Sequence, residues 1–232
     1  MLSLETLSRE TGESVREWAF LTILYNLVNL VLLPGAAVSE NDVASALGIS
    51  RTPVRETFIR LAQEGLLDVY PQKGTYVSLV DEQRVEEGRF MRLCLEGRTV
   101  ELACEEFSSE SMVALRANLQ LQRLAISEKN ASRFFALDEE FHRIIFATCG
   151  KERIWEAIRK MGSHFNRVRV LSLRATDWEK VFSQHERIAS SIFEKKTGEA
   201  RDAMNEHLTM VNYDLGRLRQ EYPAYFKPEK GR

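Results

Sequence analysis

Apolar positions along this chain follow two regimes. Between Gln72 and Tyr222 they recur every three to four residues, with no proline and few glycines in the way. That spacing predicts a succession of amphipathic helices. The first 80 residues are punctuated instead, by Pro34-Gly35, by Gly48 and by Pro71-Gln72-Lys73-Gly74, and read as short elements joined by turns. The chain therefore divides near residue 80. A small mixed domain covers 1–80, an all-helical domain covers 81–222, and a tail over 223–232 is expected to fray. The fold class is mainly α.

The most apolar run, "WAFLTILYNLVNLVLLPG" from Trp18 to Gly35, reads as a buried amphipathic helix. It is short for a membrane span, and Thr22, Asn26 and Asn29 interrupt it. In "SENDVASALGISRTPVRETFIRLAQEGLL", Ser39 and Asp42 form a capping-box-like pair, Val43, Ala46 and Leu47 supply an apolar face, and Gly48 ends the helix. Ser50 is placed to cap the next helix, and Pro53 falls in its first turn, where no N–H is missed. Two helices across a short glycine turn predict a helix-turn-helix. Val54, Phe58 and Leu61 make the inner stripe of the second helix, which leaves Arg51, Thr52, Arg55 and Glu56 facing elsewhere. The flanks of the Pro71–Gly74 turn, around Val69 and Val77, read as a β-hairpin, a wing with Lys73-Gly74 at its tip.

In the helical part, "ALDEEFHRIIF" puts Asp138 and His142 one turn apart inside an apolar stripe that includes Phe134, Phe141 and Ile145. His185 lies among Val181, Phe182, Ala189 and Ile192, and His207 shares a face with Ala200, Ala203 and Leu218. Each taken alone is an ordinary buried polar group. Four on inward faces would each need a separate partner, and one divalent ion would satisfy them all. Three imidazoles and a carboxylate suit Zn²⁺, Ni²⁺, Mn²⁺ or Fe²⁺, with nothing to choose among them. His164 shares its face with Met161, Val168 and Leu171 and reads either as core or as pocket.

Charge changes the picture in one respect. The chain has 32 basic and 34 acidic residues and a net charge of −2, so no basic surface announces nucleic acid. Contact with DNA would rest on local placement of Arg51 and Arg55 at a helix N-terminus, where phosphate and guanine edges can be reached; the same arginines could simply solvate a surface. Cys94, Cys104 and Cys149 have no CxxC spacing, which fits free thiols in a reducing compartment. The N-terminus has no basic segment or small-residue cleavage site, so a cytoplasmic location is expected. A metal-dependent enzyme is the competing class. It leaves the "SRTPVRE" helix unexplained, and Glu139 and Glu140, the nearest candidate bases, are angled away from the ligand face.

The run "SENDVASALGISRTPVRETFIRLAQEGLLDVYPQKGTYV" resembles the winged helix-turn-helix of the GntR family of bacterial transcription regulators. The pieces "RLCLEGRTVELA", "DEEFHRIIFATCG" and "QHERIASSIFEKKTGEARDAMNEHL" resemble the FCD effector domain of its FadR subfamily. The resemblance implies double-stranded operator DNA as partner, contacted through Arg51, Thr52, Arg55, Lys73 and Gly74, with Asn41 a weaker candidate. One short recognition helix reads few base pairs, so a homodimer is expected; the resemblance makes release of DNA by the effector the more frequent outcome, and a repressor is expected. The resemblance implies one divalent metal per chain on Asp138, His142, His185 and His207, flooring a pocket for a small carboxylate metabolite. Arg92 is the leading candidate to hold that acid, though it could instead pair with Glu96 on the surface. Arg169, Arg167 and His164 are weaker candidates, since "NRVRVLSLR" also reads as a solvated basic edge.

Overall fold

The computed structural model describes residues 2–173 and 177–228. It divides into two compact units, one of residues 1–82 with 218–232 and the other of residues 83–217.

In the first unit, α1 (Val15–Val28) starts where the Ser14 side chain accepts the Glu17 N–H. The helix is shorter than its apolar run. It stops at Asn29, and Leu30, at a positive φ of 57°, turns the chain so that Leu30 and Leu32 are buried within the unit. Asn26, fully buried in α1, donates to the Glu5 carbonyl and accepts the Glu5 N–H, which fastens the N-terminal segment to the helix. Among the described residues no helix is long and apolar enough to cross a membrane.

Ser39 caps α2 (Glu40–Leu47) by accepting the Asp42 N–H, and Gly48 closes it in the left-handed conformation at φ 66°. The buried face of α2 is Val43, Ala44 and Leu47; Ala46, expected there, is exposed. Helix α3 (Arg51–Gln63) buries Val54, Thr57, Phe58 and Leu61. Ser50 takes its N-cap position without the expected side-chain bond. The wing is β2 (Leu67–Tyr70) paired antiparallel with β3 (Gly74–Val77), and a two-residue β1 (Ala37–Val38), absent from the sequence reading, joins on the far side of β3. Val77 is buried, whereas Val69 faces solvent. The tail does not fray through its described part. Residues 223–225 form a 3₁₀ turn, Phe226 is buried and bridges Val80, and the Lys227 ammonium meets Asp81 at 2.9 Å. Residues 229–232 lie outside the described residues.

The second unit is helical: α4 (Glu82–Glu106), α5 (Ser109–Ser127), α6 (Ala131–Thr148), α7 (Glu152–Met161), α8 (Ser163–Leu173), α9 (Trp178–Phe193) and α10 (Thr197–Glu221). Its core joins Val100 and Ala103 of α4, Leu115 of α5, Phe141 and Ile145 of α6, Ile188 and Ile192 of α9 and Met204 of α10. Helix α5 packs on both α6 and α9. The elements that carry Asp138, His142 and His185 therefore share a neighbour.

Candidate functional site

In the first unit, Asn41 at the start of α2, Arg51 at the start of α3, and Lys73 and Gly74 of the wing line one cleft of about 380 Å³. Thr52 and Arg55 lie outside that lining, exposed on α3. Arg51 is not free: its Nη2 sits 3.1 Å from Glu40 Oε2. Arg51 is largely exposed and Glu40 half-buried, so solvent screens the pair and Arg51 can exchange it for another anion. The face presents two helix N-termini, two arginines and a basic wing tip, a set that suits phosphate and base edges.

In the second unit the Asp138, His142, His185 and His207 side chains come together. One ligand atom from each lies within 4.8 Å of the others, and all four residues are buried. His142 Nε2 is 3.2 Å from His207 Nε2, His185 Nε2 is 3.5 Å from Asp138 Oδ1, and His142 Nε2 is 4.0 Å from Asp138 Oδ2. Donors at about 2.0–2.1 Å from one tetrahedral ion lie about 3.4 Å apart, so the spacing is of the right size.

The outer nitrogens are engaged elsewhere. His142 Nδ1 is 2.5 Å from Glu96 Oε2, His185 Nδ1 is 2.8 Å from Gln122 Oε1, and His207 Nδ1 is 3.1 Å from Gln184 Oε1. At His185 the Gln122 oxygen is the acceptor, so Nδ1 carries the proton and Nε2 turns a lone pair inward. His142 Nε2 and His207 Nε2 face each other inside the cluster. His185 Nε2 is buried with no hydrogen-bond partner among the described residues. A cation satisfies that nitrogen and the grouped Asp138 carboxylate, so the residues fit a divalent metal ion.

Protonation agrees with that fit. Burial pushes the His185 imidazole down to about 3, against the pull of the Asp138 carboxylate. Burial, with His185 and His142 beside it, takes His207 well below its ordinary value. Burial would raise the Asp138 carboxyl, but the Arg169 guanidinium and the three imidazoles outweigh it and hold it well below the usual carboxylate range. A neutral His185, a neutral His207 and an ionised Asp138 are forms that bind metal.

Three arginines on α4 and α8, each left open between pocket and surface by the sequence, are buried. Arg169 is no solvated edge. It is buried, with Nη2 on Asp138 Oδ2 and Nη1 on Glu139 Oε1, and those two carboxylates keep it charged despite burial. It ties down one Asp138 oxygen and leaves Oδ1 for an ion. Glu139, read as pointing away, is thus attached to the site through Arg169. Arg167 is fully buried. Arg92 answers both of its open alternatives at once. It does pair with Glu96, but inside the protein, each residue being 1% exposed. Burial raises the Glu96 carboxyl, and Arg92 and His142 together overcome this and hold it at about 2. The Arg92 Cζ lies 5.5 Å from the Trp155 and Phe165 ring centres. Its Nη1 and Nη2 are buried without hydrogen-bond partners among the described residues. His164 is buried on α8 but is not one of the four grouped ligand residues.

Sequence reasoning missed Gln122, Gln184 and the inward role of Glu96. The available signal was their periodicity: Asn118 and Gln122 share a helix face with Leu115 and Ala125, and Gln184 adjoins His185.

Comparison with known proteins places both halves. Residues 20–77 match the model of the bacterial regulatory proteins, gntR family, and residues 89–210 match the FCD domain. The chain is 35% identical over 221 residues to an HTH-type transcriptional regulator in an unstable DNA locus of Streptomyces ambofaciens, covering 95% of this chain and 93% of that one. It is 30% identical over 230 residues to the HTH-type transcriptional repressor RspR of Escherichia coli K12, covering 98% of this chain and all of the repressor. The solved structure of E. coli McbR/YncC superposes with a TM-score of 0.78 at 21% identity over 90% of this chain and 99% of that one, a likeness of fold. A winged helix-turn-helix, an FCD bundle and full-length relatives that are all transcription regulators lead to one statement: the chain belongs to the GntR family, as a DNA-binding transcription regulator and not an enzyme.

Proposed function

We propose that the protein acts in the cytoplasm as a homodimeric repressor whose operator affinity is set by a small organic acid bound beside a divalent metal in the FCD unit. The observation that carries this reading is the pair of buried, partnerless nitrogens on Arg92. A guanidinium in that state lacks the two hydrogen bonds a carboxylate supplies side by side. Its Glu96 partner also touches His142, so the arginine and the ligand set share one residue. A divalent ion held by Asp138, His142, His185 and His207 supplies an open position for a further anionic oxygen, and Zn²⁺, Ni²⁺, Mn²⁺ and Fe²⁺ all suit the donors. Arg92 would hold one end of the acid. Arg169 would act by holding Asp138, with His164 a lesser contact on the same helix as Arg169.

On the DNA side, Arg51, Thr52 and Arg55 would enter the major groove, Lys73 and Gly74 would follow the backbone, and Asn41 would add a contact at the α2 N-terminus. One short recognition helix reads few base pairs, so a two-fold pair reading two half-sites is the arrangement that gives useful specificity. The acid can change operator affinity only by binding one arrangement of the dimer better than another.

Arg55→Ala tests the DNA-binding assignment. At fixed salt, with DNA from upstream of the protein's own gene, fluorescence anisotropy should show specific affinity falling by about 1–3 kcal/mol, roughly 5- to 150-fold. Circular dichroism should stay unchanged, since Arg55 is exposed. Equal binding by the variant and the parent would remove Arg55 from the interface, and no sequence-specific binding at any salt would remove the reading itself.

A further inference from the structure

Of the three imidazoles, His185 is held in a way that dictates its role. Its Nδ1 meets Gln122 Oε1 at 2.8 Å. Gln122 Nε2 donates to Asn118 Oδ1 at 2.7 Å, and Asn118 Nδ2 donates to the Leu137 carbonyl at 3.0 Å. Asn118 is 4% exposed and Gln122 fully buried, so water offers neither an alternative partner.

The chain of bonds can run in only one direction. A backbone carbonyl accepts and never donates. Asn118 must therefore turn its nitrogen to Leu137, which turns its oxygen to Gln122. Gln122 must answer with its nitrogen, which turns its own oxygen to His185. The imidazole has to meet that oxygen with an N–H, so its proton sits on Nδ1 and its Nε2 lone pair is left aimed at Asp138, His142 and His207. Reversing any one amide would set two donors or two acceptors against each other inside the core, at a cost of about 1–3 kcal/mol for each polar group left unpaired.

We infer that Asn118 and Gln122 are positioning residues of the metal centre, and that their one-way relay from the Leu137 carbonyl holds His185 in the Nδ1–H tautomer that presents Nε2 to a divalent cation. The relay starts one residue before the carboxylate ligand Asp138 and ends on a ligand of a different helix. It therefore brings α5, which contributes no ligand, into the site. The contrast with His207 is instructive: its Gln184 acceptor has no such anchored chain behind it among the hydrogen bonds of the described residues. The inference rests on the metal reading proposed above.

Two measurements on the full-length protein test it. The first is the nitrogen-15 spectrum of the imidazoles in metal-free protein, which reads the His185 tautomer directly and needs no variant. A proton on Nδ1 is expected; a proton on Nε2 overturns the relay. The second is Co²⁺ affinity, measured by visible absorption and by competition with a chelating indicator. Gln122→Met keeps the length and removes the acceptor, and should weaken Co²⁺ binding by about 10- to 100-fold. Gln122→Glu keeps an acceptor for Nδ1–H but loses the donor to Asn118 Oδ1, so it should lose less affinity than Gln122→Met. Equal loss in both variants, or loss in neither, contradicts the inference. A parent protein that takes up no Co²⁺ at all sinks the metal reading instead, and the relay is then decided by the imidazole spectrum alone.

Discussion

His185→Ala is expected to abolish tight metal binding while leaving the helical unit folded. The substitution removes an Nε2 that lies 3.5 Å from Asp138 Oδ1 and whose only unmet need is a Lewis acid. It leaves Asp138 with His142 and His207, one protein donor fewer around the ion. Affinity should therefore drop by more than the roughly 100-fold that marks the loss of a supporting hydrogen bond. The ring also stacks on Phe141, with centroids 4.3 Å apart, so some packing is lost as well. The measurement is metal content of protein purified without added metal, followed by Co²⁺ titration of both proteins. If the parent and His185→Ala hold equally little metal, the four residues are not a ligand set.

The second large effect falls on stability. Glu96→Ala leaves the Arg92 guanidinium buried without a counter-charge, since both residues are 1% exposed. Breaking a buried ion pair from one side typically costs about 3–5 kcal/mol, well above the worth of the intact pair. The close contact between Glu96 and His142 is lost in the same step. Urea denaturation should report the loss in the midpoint. The double variant Arg92→Met with Glu96→Leu should recover much of it, because the cost comes from the orphaned charge and not from the missing attraction. A double variant as unstable as Glu96→Ala would show that the pair is valued for something other than its charge balance.

These two residues also show where sequence reasoning stops. Periodicity located Asp138, His142, His185 and His207 on inward faces, because a 3.6-residue period assigns a side chain to a face wherever the apolar neighbours are dense. The same argument could not decide Arg92. An arginine and a glutamate one turn apart neutralise each other equally well at the surface and in the core, so the pattern is silent about depth. Periodicity leaves Arg169 open between a pocket contact and a solvated edge, because the carboxylates that hold it and the Phe135 ring beneath it lie on another helix. Gln122 and Gln184 carry no charge and suit any helix, so nothing in composition marks them; only the imidazoles they face give them a role.

The winged unit was legible for a different reason. Its turns use residues with narrow backbone preferences, Gly48 at φ 66° above all, so local chemistry sets the boundaries. What local chemistry could not foresee is distant pairing. The two-residue β1 and the return of Phe226 to Val80 depend on contacts far apart in the chain.

The most direct test of the account is the affinity of metal-loaded protein for its own upstream DNA, measured by anisotropy at fixed salt. It is read with and without a small carboxylic acid chosen because it raises the melting temperature of the protein. The account predicts a change of about 5- to 150-fold in Kd, the usual range for coupled sites, and no change in the double variant Arg92→Met with Glu96→Leu. An acid that binds the parent tightly and leaves its DNA affinity untouched would contradict it.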